Sequence, residues 1–206
     1  MKHTIKIPLF LAAILFSTLS SWSYSEESFI PKPPSLNASN YILIDSVSGR
    51  VLAEKEADVR IEPASITKIM TGYVAADQIS KGFVSLDDEV LISENCWRKG
   101  GSKMFIREGT RVLLSDLMKG MVIQSGNDAS CAIAEHVAIS EEGFVELMQL
   151  YVEELGMENT QFINVSGWPD PEHFSSARDL ALLTKNLIDK FPDHYALYNE
   201  KYFTYN

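Results

Sequence analysis

The stretch Pro63-Ala64-Ser65-Ile66-Thr67-Lys68-Ile69-Met70-Thr71-Gly72 sets a serine and a lysine three residues apart at the predicted start of a buried helix. Residues i and i+3 share one helix face, with Cβ atoms about 5–6 Å apart, so the Lys68 amine can reach the Ser65 hydroxyl. A serine hydroxyl is a poor nucleophile until a base takes its proton. Lysine is that base only when neutral, a state that desolvation favours. Ile69, Met70 and the apolar run to about Ile79 predict such burial. The helix N-terminus adds unpaired N–H groups and a positive dipole end near Ser65. Taken alone, Ser-x-x-Lys is also an ordinary solvated turn, so its meaning depends on the rest of the chain.

The rest is bounded by size and charge. The 206 residues, 46% hydrophobic and 22% charged, suffice for one domain with a sizeable core. A net charge of −10 argues against a nucleic-acid partner, because phosphate binding rests on clustered Lys and Arg. Cys96 and Cys131 do not make a disulfide framework. They read as two small buried apolar side chains in preference to a bridge. Residues 1–25 read as a signal peptide: Lys2 and Lys6 precede an apolar run, residues 7–16, too short to span a bilayer, and Ser23-x-Ser25 suits cleavage. An uncleaved anchor is the alternative, and either exports the protein. Residues 26–36, with Pro31, Pro33 and Pro34, read as an extended leader, and residues 37–206 as the folded part.

Within 37–206, Tyr41–Asp45 and Arg50–Glu54 flank Ser46-Val47-Ser48-Gly49 as a hairpin. The helix from Ser65 carries apolar residues on more than one face and is predicted to lie in the core. Val90-Leu91-Ile92 reads as a strand. Arg98–Lys103 is a loop without the spacing of a phosphate cradle. Ser115 is the predicted N-cap of a helix to Gln124, and Asn127 or Asp128 that of the next. Phe144 to Leu155 has helical spacing with Gly156 as its stop, Ser176 caps a further helix, and Lys201–Asn206 alternates like the start of a strand.

Ser125-Gly126-Asn127 falls at the corner between two helices. It has a structural reading, a glycine bend followed by a capping asparagine. Beside Ser65 and Lys68 it offers more: a Ser125 hydroxyl to relay a proton to a leaving amine, and an Asn127 amide to hold a peptide backbone. Ser-x-x-Lys followed by Ser-x-Asn marks the penicillin-binding proteins and serine β-lactamases. Tyr41–Asp45, Pro63–Val74, Gly101–Phe105, Ser125–Ala129 and Phe174–Ala181 occur in family order. Together they resemble the low-molecular-mass D-alanyl-D-alanine carboxypeptidases of the peptidase S11 type. Ser-Gly-Asn, where many β-lactamases have Ser-Asp-Asn, is similar to the carboxypeptidase side.

The resemblance implies an α+β penicillin-binding fold, an antiparallel sheet with a helical cluster. It implies Ser65 as acyl-ester nucleophile, Lys68 as proton acceptor, Ser125 as proton relay and Asn127 as substrate-binding residue. Peptidoglycan stem peptides ending in D-Ala-D-Ala would be the substrates, β-lactams would acylate the same serine, and no cofactor would be needed. A DD-endopeptidase, a β-lactamase or a non-catalytic sensor of the same fold are the alternatives; the β-lactamase would need a carboxylate such as Glu172 to activate water. His136, His173 and His194 read as surface or capping residues, and no metal motif is present. The family's third motif, Lys-Thr-Gly on a strand, does not occur in the 206 residues. The chain therefore reads as an N-terminal piece without its last sheet strands and C-terminal amphipathic membrane helix. Such a piece is expected to be poorly stable and nearly inactive, since one lost oxyanion donor costs about a hundred- to a thousandfold in rate.

Overall fold

The computed structural model describes residues 35–205; the signal peptide and nearly all of the leader lie outside the described residues. The first hairpin pairs β1 (Tyr41–Ile44) with β2 (Val51–Lys55) in antiparallel fashion, with a register slip at Leu43/Ile44. Its turn is closed from within: the Asp45 carboxylate accepts the Ser48 N–H at 2.7 Å, and Gly49 N–H reaches the Asp45 carbonyl at 2.8 Å. A two-stranded sheet is marginal by itself. This one is tied to the body by Arg178, which bridges Glu54 and Asp58 at 2.6 Å each, and by the Ile61–Ser175 bridge just beyond it.

A 3₁₀ turn, Ala64–Thr67, runs directly into α1 (Lys68–Ser80). Met70, Tyr73, Val74, Ala75 and Ala76 are all buried, so α1 is apolar around most of its circumference and lies inside the molecule. It separates two hydrophobic clusters. On one side Ala75 meets α3 (Leu114–Gln124), α4 (Asn127–Ala138) and the small sheet of β3 (Glu89–Leu91) and β4 (Arg111–Leu113). On the other, Met70, Tyr73 and Val74 meet α5 (Glu141–Leu155) and α6 (Ala177–Lys190). The alanines of α4, at 129, 132 and 134, are fully enclosed and let that helix contribute to both clusters. Two short turns, α7 (Pro192–Tyr195) and the 3₁₀ segment Ala196–Asn199, close the chain.

Local chemistry accounts for several helix ends. Ser140 and Ser176 accept N–H groups of Gly143 and Asp179, and Ser93 caps the short α2 (Glu94–Arg98). Gly156 stops α5 in the left-handed conformation. Three sequence expectations fail. Ser115 is not a cap, because α3 already begins at Leu114. Neither Asn127 nor Asp128 is the cap of α4, which is Gly126. Residues 201–205 form no strand, since no strand lies beside them among the described residues to take their backbone hydrogen bonds. Phe203 and Tyr205 instead pack against the first cluster.

The cysteines require a further correction. Both are fully buried, but they are joined: Cys96 on α2 and Cys131 on α4 form a disulfide with a Cα–Cα distance of 5.2 Å. The bridge closes a loop of 35 residues. By loop-closure entropy it stabilises the fold by up to about 4 kcal/mol. Unfolding in urea with and without a thiol reductant is expected to differ by about 3–4 kcal/mol. Coincident curves would show that the bridge contributes nothing.

Candidate active site

The Ser65 side chain stands exposed at the mouth of the 3₁₀ turn, and Lys68, one turn on, is 5% exposed. The Lys68 amine donates to Ser65 Oγ at 3.1 Å and to the Ser166 carbonyl at 2.7 Å. No carboxylate pairs with it among the described residues. Burial therefore acts alone and lowers its pKa from the ordinary lysine value to about 8. An amine of that kind accepts a proton from a hydroxyl that it touches.

The Ser166 carbonyl is held by a loop that the sequence did not flag. Asn164 Oδ1 accepts the backbone N–H groups of Ser166, Gly167 and Trp168 at 2.8–3.2 Å, and its Nδ2 donates to the Trp168 carbonyl. One asparagine thus folds the loop on itself. Two contacts strap it to α1: Thr71 donates to the Val165 carbonyl at 2.7 Å, and Lys68 to Ser166. His173 supplies a third link. It is 3% exposed, so of the two expected roles, surface or capping, the surface one fails. Its Nδ1 accepts the Ile163 N–H at 3.1 Å, so in the neutral ring Nε2 carries the proton and donates to Thr67 Oγ1 at 2.8 Å. Burial lowers its pKa, which keeps that tautomer in place.

Gly167, at φ +80°, lies against the Ala64 peptide so closely that a Cβ there would overlap the Ala64 carbonyl oxygen. Ala64 itself has φ +45°, an uncommon conformation for a residue with a side chain. The residue before Ser65 is thus strained, and the glycine opposite is the space that its peptide needs.

Ser125 sits in the left-handed conformation, φ +58°, at the C-terminus of α3. Its Oγ is buried without a hydrogen-bond partner among the described residues. Asn127 opens α4 and donates from Nδ2 to the Gly100 carbonyl at 2.8 Å, leaving its Oδ1 without a donor among the described residues. The structure therefore joins Ser65 to Lys68 directly, while neither Ser125 nor Asn127 is hydrogen-bonded to either. Asp128, which the sequence reading treated as a cap, is fully buried, and its carboxylate accepts the N–H groups of Met104, Phe105 and Ile106. It fixes segment 104–106 against α4. Glu172 is exposed and is hydrogen-bonded to neither Ser65 nor Lys68.

With this geometry in view, a family model described as D-alanyl-D-alanine carboxypeptidase, peptidase S11, matches residues 27–206. The D-alanyl-D-alanine carboxypeptidase DacC of Escherichia coli K12 is 46% identical over 179 residues, covering 84% of this chain and 45% of the relative. DacA of the same strain is 45% identical over 186 residues, 87% of this chain and 46% of its own. The crystal structure of penicillin-binding protein 5 from Haemophilus influenzae superposes with a TM-score of 0.84 at 40% identity, over 85% of this chain and 52% of that one. The fold is that of the penicillin-binding DD-peptidases, and the chain spans about half the length of the relatives that it matches.

Gly167→Ala is expected to lower stability by roughly 2–4 kcal/mol, from the added strain and overlap. It should also raise the Lys68 pKa toward the ordinary value, because displacing the loop opens the amine to water. Urea unfolding and an NMR titration of labelled lysine check the two parts.

Proposed function

The chain belongs to the peptidase S11 family of D-alanyl-D-alanine carboxypeptidases, and from that premise we propose that the whole protein removes the terminal D-alanine from peptidoglycan stem peptides through an acyl-enzyme on Ser65. The observation that carries this reading is the 3.1 Å contact between an exposed hydroxyl and a buried amine whose pKa lies near 8.

Lys68 takes the Ser65 proton as Oγ attacks the carbonyl carbon between the two D-alanines. The tetrahedral intermediate collapses, the C–N bond breaks, and the leaving amine must gain a proton. Ser125 is suited to pass that proton on. A buried hydroxyl left unpaired costs about 1–3 kcal/mol, and a substrate amine on one side with the Lys68 ammonium on the other would offset that cost. Asn127, with Nδ2 engaged by Gly100, turns a vacant Oδ1 toward a donor such as a substrate N–H. Water then attacks the ester, the proton passes back through Lys68, and the shortened peptide leaves. β-Lactams acylate Ser65 by the same first step. An oxyanion donor and a carboxylate-binding lysine would come from the Lys-Thr-Gly strand of the family pattern, which these 206 residues do not contain.

The work is placed outside the cytoplasmic membrane. The signal-like run at residues 7–16 supports export. The Cys96–Cys131 bridge supports it independently, since structural disulfides persist in oxidising compartments.

Full-length protein is expected to bind a fluorescent penicillin covalently and release D-alanine from a D-Ala-D-Ala peptide, and Ser65→Ala to lose both. Labelling that survives Ser65→Ala overturns the assignment. Acylation should fall about tenfold per pH unit below 8 and level off above it, as the neutral fraction of Lys68 dictates. A flat profile from pH 6 to 9, measured with an uncharged-side-chain penicillin, removes Lys68 as the base.

A further inference from the structure

Asn127, Cys131 and Glu135 follow one another at four-residue steps along α4, so they share one of its faces. Each meets a residue of the segment 95–100, and the order is reversed. Glu135 Oε1 accepts from Asn95 Nδ2 at 2.9 Å, Cys131 is bonded to Cys96, and Asn127 Nδ2 donates to the Gly100 carbonyl at 2.8 Å. The Asn127 backbone N–H carries the series past Gly100, to the Ser102 carbonyl at 2.8 Å. Segment 95–102 thus runs antiparallel along the first two turns of α4, on ties one helical turn apart. The middle tie is covalent.

The Gly100 carbonyl is not held by its own surroundings. Gly100 and Gly101 have no side chains to stiffen them, and a Cβ at Gly101 would stand 2.6 Å from Asn127 Nδ2, so none is admitted there. The α2 helix that leads into them has five residues, too few to be stable by itself. Lys99 pairs with Glu141 of α5 at 2.5 Å, but through a long stem with many rotamers, which leaves the direction of the following peptide open. The Cys96–Cys131 bridge lies four residues before Gly100 and four after Asn127, and both of its cysteines are fully buried. It is the rigid member of the series.

The direction of that carbonyl matters because an asparagine amide has a donor end and an acceptor end, exchanged by a half-turn about its last side-chain bond. With Nδ2 held by Gly100, Oδ1 is the end left for a substrate N–H. Once the carbonyl drifts, the amide can present either end, and the wrong one sets N–H against N–H.

We propose that the Cys96–Cys131 bridge is a positioning element for substrate binding: by fixing Gly100 against α4 it determines which end of the Asn127 amide faces the peptide. The proposal rests on the carboxypeptidase reading above and gives a role in it to two cysteines that take no part in the chemistry.

The test compares full-length wild-type protein with Cys96→Ala/Cys131→Val, which keeps both positions apolar, on a D-Ala-D-Ala peptide. KM is expected to rise about tenfold, the size of one hydrogen bond. The kcat per penicillin-titrated site should stay within about twofold, because the contact is made in ground and transition states alike. KM does not depend on the amount of active enzyme, so partial loss of folded protein cancels. In an Asn127→Ala background, removing the bridge should change KM by less than about twofold, since no amide is left to orient. A bridge that merely stabilises the fold would lower the yield of titratable sites and leave KM in place. That result overturns the proposal, as does an equal rise in KM with and without Asn127. Should the double variant fail to fold, the wild type is assayed with dithiothreitol, after thiol titration has confirmed reduction. The reagent passes two electrons and two protons to the bridge, leaving two thiols, and closes into its own cyclic disulfide. The same rise in KM is expected, and an unchanged KM in the reduced protein overturns the proposal. Failure of the underlying reading looks different: the bridged protein neither turns over the peptide nor is acylated by penicillin.

Discussion

A lysine amine held out of water without a counter-ion is the condition on which the rest of this structure depends. Burial disfavours the ammonium form, and no carboxylate among the described residues restores it. The amine is compensated only by neutral acceptors, Ser65 Oγ and the Ser166 carbonyl. Those partners satisfy its hydrogen-bonding capacity without fixing its charge. A carboxylate in their place would have held the proton on lysine across the physiological range. The side chain cannot escape to solvent, because it springs from the first turn of a helix whose next residues are packed on both sides by the two hydrophobic clusters. Core packing and site chemistry are thus one arrangement: the clusters fix α1, and α1 fixes the amine.

The acceptor at 2.7 Å needs equal control, and the loop at 163–168 provides it. Asn164 folds the loop, Thr71 and His173 strap it to the start of α1, and Gly167 lies against the Ala64 peptide. Most of these partners are buried, so an unmade bond among them would carry the full desolvation cost of its polar group. That penalty is what keeps the strained Ala64 backbone in place. Unsupported, a residue at φ +45° would relax by an amount worth about 1–3 kcal/mol, and Ser65 would turn with it.

What was legible in the sequence follows from range. The Ser65–Lys68 pair could be read because helix geometry alone brings i and i+3 together, and the burial of Lys68 because its apolar neighbours surround the helix. The hairpin at 41–55 and the caps at Ser176 and Gly156 depend on equally local chemistry. Ser166, His173 and Asp128 were invisible for the opposite reason. Their roles lie in partners 98, 106 and 22–24 residues away, and a carbonyl oxygen has no residue-type signature at all. The cysteines show the same division. Their burial follows from type, but their pairing depends on α2 lying across α4, which no spacing rule encodes. Alternation at Lys201–Asn206 suggested a strand, but a strand is a relation between two segments, and the described residues supply only one.

Ser125 presents the remaining tension. It occupies a left-handed corner that glycine or asparagine would adopt more cheaply, and it buries a hydroxyl that finds no partner. Both features oppose stability, and neither is forced by packing, since alanine would fill the corner without an orphaned polar atom. A glycine would remove the strain as well. Two local penalties thus fall on one hydroxyl, and the proton-relay role proposed for Ser125 would offset them. The adjoining Asn127, with an amide oxygen also unengaged, points to the same conclusion from a different residue. Two hydrogen-bonding positions at the corner preceding α4 thus find no partner among the described residues, which is the arrangement that the proposed peptide-binding role would use.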